Sequence, residues 1–277
     1  MEPGVELKHI TFQAGGRTIL KDISLSADRG CFAGVLGANG AGKTTLLKCI
    51  NGIHACSGEV RVWGRNIRDC TEKEVARLVS LMNQNTNLEF DFTCRQVVEF
   101  GRYPYWKKGF WGEKGDERIV VQAMRDTGVL EFADVLVTRI SGGERQRVLF
   151  AKTLAQDSRV VLLDEPTANL DLRYQRQLFQ FGQRLACEGK TVLAAVHDLN
   201  IALRYCDTFF LLHEGELLAQ GTAGEVMSPE HMRQAYGLNT QLYRNPVHHG
   251  LELWACCIST GKPFILINNN IILVYVC

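Results

Sequence analysis

No apolar run in this 277-residue chain is long enough to cross a bilayer. The closest, Pro263–Val276 (PFILINNNIILVYV), falls short of the roughly 20 residues that a spanning helix needs and is broken by Asn268, Asn269 and Asn270. Charge of one sign is also lacking: 31 Lys and Arg against 30 Asp and Glu leave a net charge of +1. This balance supplies no basic footprint for DNA, RNA or an anionic membrane, so no nucleic-acid partner is expected. The opening MEPGVELKHI has neither a basic n-region nor an apolar h-region, and no secretory signal is expected. The 10 cysteines show no CxxC pair and no metal-ligand spacing, which reads as reduced, mostly core thiols rather than a disulfide framework. The doublets His248-His249 and Cys256-Cys257 are taken as surface histidines and inert thiols rather than a metal sensor. Repeats, heptads and low-complexity linkers are missing, which excludes a coiled-coil machine. What is left is the material of a globular protein with a sizeable core, 46% hydrophobic.

Against that plain background, residues 37–45 read Gly-Ala-Asn-Gly-Ala-Gly-Lys-Thr-Thr. Without side chains at Gly37, Gly40 and Gly42, successive backbone N–H groups can curl around a polyphosphate as an anion nest, with Ala38, Asn39 and Ala41 completing the loop. Lys43 adds a point charge for the β- and γ-phosphates, and the Thr44 hydroxyl is placed for Mg²⁺. Thr45 to Asn51 (TLLKCIN) reads as a helix whose N-terminal dipole faces the anion. The apolar run Cys31–Leu36 before the loop supplies the strand that this arrangement requires. ATP is the expected ligand.

Along the chain, Val5–Thr11 and Ile19–Ser26 read as strands joined by a Gly15–Gly16 turn, and Glu59–Trp63 as a further short strand. From about Thr71 to Leu154 the pattern is mainly helical, with capping boxes at Thr71/Glu74, Thr93/Gln96 and Ser141/Glu144. Sheet resumes at Val160–Leu163, Thr191–Val196 and Asp207–Leu212, with helices over Leu172–Glu188 and Asp198–Arg204 between them. The expected class is α/β: a β-rich N-terminal subdomain, a wound and mainly parallel sheet, and a helical subdomain over about 85–155. Residues 1–240 are expected to form one nucleotide-binding domain and 241–277 a tail, in which Phe264–Ile267 and Ile271–Val276 flank the asparagines as in a β-hairpin.

Val160–Leu163 is an apolar strand ending in Asp164-Glu165, which sets two carboxylates at the carboxyl edge of the sheet, where ligands of such folds bind. Asp164 would hold Mg²⁺ through water. Glu165, pointing differently because side chains alternate on extended chain, would polarise the water that attacks the γ-phosphate. Ile140-Ser141-Gly142-Gly143-Glu144 is a second glycine-containing anion site, Ser141 capping the helix that starts there. One nucleotide does not need two such cradles.

The whole set resembles the ATP-binding cassette ATPases: the loop at 37–45, ISGGE at 140–144, VVLLDEP at 160–166, ANLD at 168–171 and His197 after a strand. The likeness covers roughly residues 5–240. It implies that Ser141, Gly142 and Gly143 of one copy, with Glu144 beside them, close over the ATP held by a second copy. By the same resemblance Gln84, after the strand Leu78–Asn83, touches Mg²⁺ and the attacking water; Asp171 crosses between subunits; His197 contacts the γ-phosphate. Two departures stand out. Ala14 stands where the family usually has an aromatic residue stacked on adenine, so that either Phe12 substitutes or the stacking is weak, and Glu144 stands where glutamine is commoner, a change expected to have little effect.

Phe100–Trp106 (FGRYPYW), Phe110, Trp111, VHDLN at 196–200 and RYCD at 204–207 are similar to the ATPases of iron–siderophore, haem and cobalamin importers. The resemblance implies a homodimer that works with two integral-membrane permease subunits and, through them, a substrate-binding protein, peripherally on the cytoplasmic face of the membrane. The aromatics from Tyr103 to Trp111 read equally as a permease-docking surface and as packing of the helical subdomain. The alternative function is a soluble cassette ATPase that moves nucleic acid or ribosomes, against which stand the charge balance and the missing coiled coil; a non-hydrolysing regulator is opposed by Asp164, Glu165 and His197.

Overall fold

The computed structural model describes residues 3–83, 91–106, 116–167, 170–247 and 249–256. Strands β1 (Val5–Ala14) and β2 (Arg17–Ala27) pair antiparallel. They turn at Gly15 and Gly16, whose φ values of 56° and 75° suit the residue without a Cβ. β3 (Phe32–Leu36) leads into helix α1 (Lys43–Ile50), which starts ahead of the expected Thr45. β4 (Ser57–Val62) and the two-residue β5 (Arg65–Asn66) follow, giving a four-stranded sheet in the order β2-β1-β4-β5.

Helix α2 (Glu72–Leu78) opens on the Thr71/Glu74 capping box and runs into β6 (Val79–Met82). The helical region holds α3 (Cys94–Glu99), capped by Thr93 and Gln96, a 3₁₀ segment at Phe100–Tyr105, α4 (Asp116–Asp126) and α5 (Gly142–Ala155), capped by Ser141 and Glu144. Then come β7 (Val160–Asp164), α6 (Leu172–Cys187), β8 (Thr191–Ala195), α7 (Leu199–Tyr205), β9 (Thr208–His213) and β10 (Glu216–Gly221). Helices α8 (Ala223–Val226) and α9 (Pro229–Tyr236) precede an antiparallel hairpin of β11 (Asn239–Arg244) and β12 (Leu251–Cys256). β10, α8, α9 and this hairpin are additions to the reading from sequence. The hairpin expected at 264–276 lies outside the described residues.

The six-stranded sheet has the order β10-β9-β3-β8-β7-β6, parallel throughout except for the antiparallel edge strand β10. Every residue of β3, β7 and β8 is buried, which is why these strands are unbroken apolar runs rather than alternating ones. Successive residues serve opposite faces. Phe32, Val161, Leu163, Val192 and Ala194 join the helical region, α6, α7 and α9 in one core. Ala33, Val35, Val160, Leu162 and Leu193 join α1 and the four-stranded sheet in the other. Helix α6 comes so close to β3 that a Cβ at Gly182 would lie 2.5 Å from the Phe32 ring. The consequence for the site is positional: β3, β8 and β7 are neighbours, and all three end at the same edge.

Candidate functional site

Gly37 continues β3 with φ 145°, and a Cβ there would stand 2.4 Å from the Leu212 carbonyl oxygen. Gly42, the N-cap of α1, has φ 105° and no room beside Leu20. No side chain caps α1, so its first N–H groups remain available to an anion, as a phosphate cradle requires. Lys43 is buried and bends back over the loop. Its ammonium donates to the carbonyls of Gly37 at 2.7 Å and Ala38 at 3.2 Å. Burial pulls its pKa down, and the carboxylates of Glu165 and Asp164 push back.

Thr44, in the first turn of α1, donates its hydroxyl to Asp164 Oδ1 at the end of β7, at 2.8 Å. Asp164 is 2% exposed, and burial lifts its carboxyl above the usual range despite the Thr44 hydrogen bond. Beside it, Glu165 sits in the left-handed region at φ 47°, a strain of about 1–3 kcal/mol for a residue with a Cβ. Its amide bonds to the Ala195 carbonyl at 3.2 Å, joining the end of β7 to β8. That strained turn sets the carboxylate against Nε2 of His197, which follows β8. The structure thus brings Lys43, Thr44, Asp164, Glu165 and His197 to one edge of the sheet, with the exposed Asn39 and Gly40 at the loop tip.

Ser141 and Gly142 are exposed at the start of α5. The Ser141 amide donates to Glu144 Oε2 at 2.8 Å and the Glu144 amide returns to Ser141 Oγ at 3.3 Å; the Ser141 hydroxyl and amide hold the Glu144 carboxyl below its ordinary range. Asp171 caps α6, accepting from the Tyr174 amide at 2.9 Å, and is also exposed. Phe12 is half-buried, its ring stacked on His54 at 4.6 Å. Gln84 lies outside the described residues. So do Phe110 and Trp111; of the remaining aromatics Tyr103 is exposed, whereas Tyr105 is wedged between the guanidinium groups of Arg102 and Arg77.

The ABC transporter family profile matches residues 20–168. The chain belongs to this family. As an ABC ATP-binding subunit it is an ATPase of the P-loop α/β class. It is similar to the hemin import ATP-binding protein HmuV of Plesiomonas shigelloides, 38% identical over 258 residues that cover 87% of this chain and 97% of that one. It is equally 38% identical to the cobalamin import ATP-binding protein BtuD of Halobacterium salinarum, over 244 residues covering 87% of this chain and 61% of the relative. A metal-chelate type ABC transporter captured inward-facing shares the fold at a TM-score of 0.79 and 22% identity, covering 92% of this chain and 98% of that one. CbiO1 of Clostridium perfringens, part of the transporter complex cbiONQ, superposes at 0.71 with 27% identity, covering 84% of this chain and 93% of its own.

Two contacts of this ABC ATPase were not legible in the sequence. The Gly37 amide donates to the hydroxyl of Tyr236, at the end of α9, at 2.7 Å. Asn200, in the first turn of α7, accepts from the Leu253 amide at 2.7 Å and donates to the Leu253 carbonyl at 3.3 Å. The Ser228-Pro229 start and Gly237 end mark α9 as a helix, but nothing local marks what it touches.

Proposed function

We propose that this chain is the ATP-hydrolysing subunit of an importer, acting as a homodimer beneath membrane permease subunits to take up haem, cobalamin or a related iron complex. The observation that carries the reading is the edge of the sheet where a buried ammonium, the Thr44–Asp164 pair and the Glu165–His197 pair converge while Ser141 and Gly142 stand exposed on another element. One half-site is built for the triphosphate; the other is displayed outward for a second copy to use.

In this reading amides of the loop beyond Gly37, whose own N–H is held by Tyr236, wrap the phosphates, and Lys43 leaves its own loop carbonyls for the phosphate oxygens. Glu165 takes the proton of the attacking water, and His197 holds both Glu165 and the γ-phosphate in place. The Thr44 hydroxyl and Asp164 carboxylate fit Mg²⁺, an oxygen-seeking cation that keeps several waters, and the burial that raises the Asp164 carboxyl is a cost such a cation would offset. Bound there, Mg²⁺ supplies charge neutralisation to the phosphates. Phe12 with His54 would offer the adenine an aromatic edge in place of Ala14. Ser141, Gly142, Gly143 and Asp171 would act across the dimer, and Gln84 would sense the nucleotide.

The substrate class follows the names of the hemin and cobalamin relatives. Among the described residues no helix is long and apolar enough to cross a membrane, in keeping with a subunit held there by permeases. The test is Glu165→Gln. ATP affinity should persist and ATP-driven dimerisation should become stable, while turnover drops roughly 10²–10⁴-fold. Turnover within twofold of the unaltered protein would remove Glu165 from its role. Copurification from solubilised membranes, followed by uptake assays with haem, cobalamin and ferric siderophore, tests the permease and cargo.

A further inference from the structure

The Gly37 peptide is held from both sides. Its carbonyl takes the Lys43 ammonium at 2.7 Å, and its amide is taken by the Tyr236 hydroxyl at the same distance, from a residue 199 positions away. Gly37 is buried, so its amide has no recourse to water once that oxygen is removed. Tyr236 is in turn fixed by its own element: Met232 and Ala235 bury α9 against the sheet, and Gly237 ends the helix at φ 68° directly after it.

The chain then enters the β11–β12 hairpin, and β12 lies on α7 through the paired Asn200–Leu253 bonds, with Arg204 and Glu252 at 3.8 Å beside them. Helix α7 begins at the Asp198 cap, next to His197. The segment 229–256 therefore touches the nucleotide edge twice, once at the phosphate loop and once behind the His197 turn. We propose that Tyr236 is a positioning residue for the phosphate loop, holding Gly37 so that its carbonyl presents Lys43 to the incoming triphosphate, with the C-terminal hairpin as its brace. This rests on the reading of Gly37–Thr45 as the phosphate loop. Burial pushes the Tyr236 phenol up to about 12, so the hydroxyl stays protonated through the working range and the contact carries no pH dependence of its own.

Tyr236→Phe deletes the acceptor and keeps the ring. With the Gly37 amide orphaned, the dissociation constant of a fluorescent ATP analogue and the KM for ATP should rise roughly three- to tenfold, kcat should stay within about twofold, and the pH–rate profile should keep its shape. Asn200→Ala, which frees the hairpin without touching the loop, should move KM in the same direction by a smaller factor. A lowered Tm with unchanged KM and analogue affinity in Tyr236→Phe would make Tyr236 a packing residue only and overturn the proposal. Hydrogen exchange needs no variant: the Gly37 amide should be as protected as those inside β3, and exchange as fast as at Gly40 would equally overturn it. Lys43→Ala separates the two readings, because unimpaired ATP binding in that variant would refute the phosphate loop itself, whatever Tyr236 does.

Discussion

Asp164, the proposed Mg²⁺ ligand, is kept at a cost to the fold. Its carboxyl is raised by burial, and a group with a raised folded pKa contributes fully to stability below its unfolded pKa and loses that contribution as pH rises through the folded value. At neutral pH the ionised Asp164 is therefore a net burden on the nucleotide-free protein. Asp164→Asn keeps an acceptor for the Thr44 hydroxyl and removes the buried charge. We expect it to raise the Tm of the nucleotide-free chain at pH 7.5 by about 2–4 °C while hydrolysis is lost. The gap should shrink on acidification, as the unaltered carboxyl takes up its proton. A Tm that falls, or a gap that widens on acidification, would show that Asp164 is held mainly by Lys43 and is not under strain. Glu165 tells a similar story in the backbone: its left-handed φ is held in place by the Ala195 carbonyl and His197, which aim its carboxylate.

At the scale of the element, two of the capping boxes separate stability from chemistry. Thr71 and Ser141 make the same pair of bonds, each side chain accepting from the N3 amide while the N3 glutamate reaches back to the cap amide. Thr71→Ala and Ser141→Ala should each cost about 1 kcal/mol, read as similar shifts in denaturant midpoint. Only Ser141→Ala should also slow ATP hydrolysis; equal hydrolysis in both would reduce Ser141 to a helix cap. Legibility at this scale follows the range of the forces. β3, β7 and β8 stand out because strands buried on both faces are continuous apolar runs, and α2, α3 and α5 because caps are local hydrogen bonds. The loop at 37–45, Asp164-Glu165 and Ser141–Glu144 stand out as candidates for the same reason, each being a cluster of close sequence neighbours. β10 and the β11–β12 hairpin are not: Glu216–Gly221 is only partly buried, and Asn239–Arg244 mixes polar and apolar residues on an edge whose partner is set by α7. Tyr236 is invisible to sequence for a stronger reason, since its only mark is a contact made after the whole sheet has assembled.

For the molecule as a whole, the decisive question is whether the exposed start of α5 serves the site of its own chain or that of a second copy. Within one chain Ser141 caps α5 and Gly142 opens it, both exposed, while Lys43, Asp164 and Glu165 lie at the carboxyl edge of β3 and β7. A two-fold arrangement solves this with one surface used twice, each copy lending α5 to the loop of the other. On the proposed reading Lys43→Ala should disable the loop of its own chain, and Ser141→Arg should block the site of its partner. Each variant alone should form only dead dimers. When equal amounts are mixed, half of the dimers pair one of each, and every such dimer holds one site with an intact Lys43 and an intact Ser141 and one site with neither. Random pairing should therefore restore about a quarter of the sites of the unaltered protein, and ATP hydrolysis should recover to that order if sites act independently. Strict coupling between the two sites would instead leave the mixture inactive although ATP still bound to it, and nucleotide binding measured alongside turnover distinguishes that case. Full activity of Ser141→Arg by itself would be incompatible with α5 acting across the dimer, and the outward display of Ser141 would then have no part in hydrolysis.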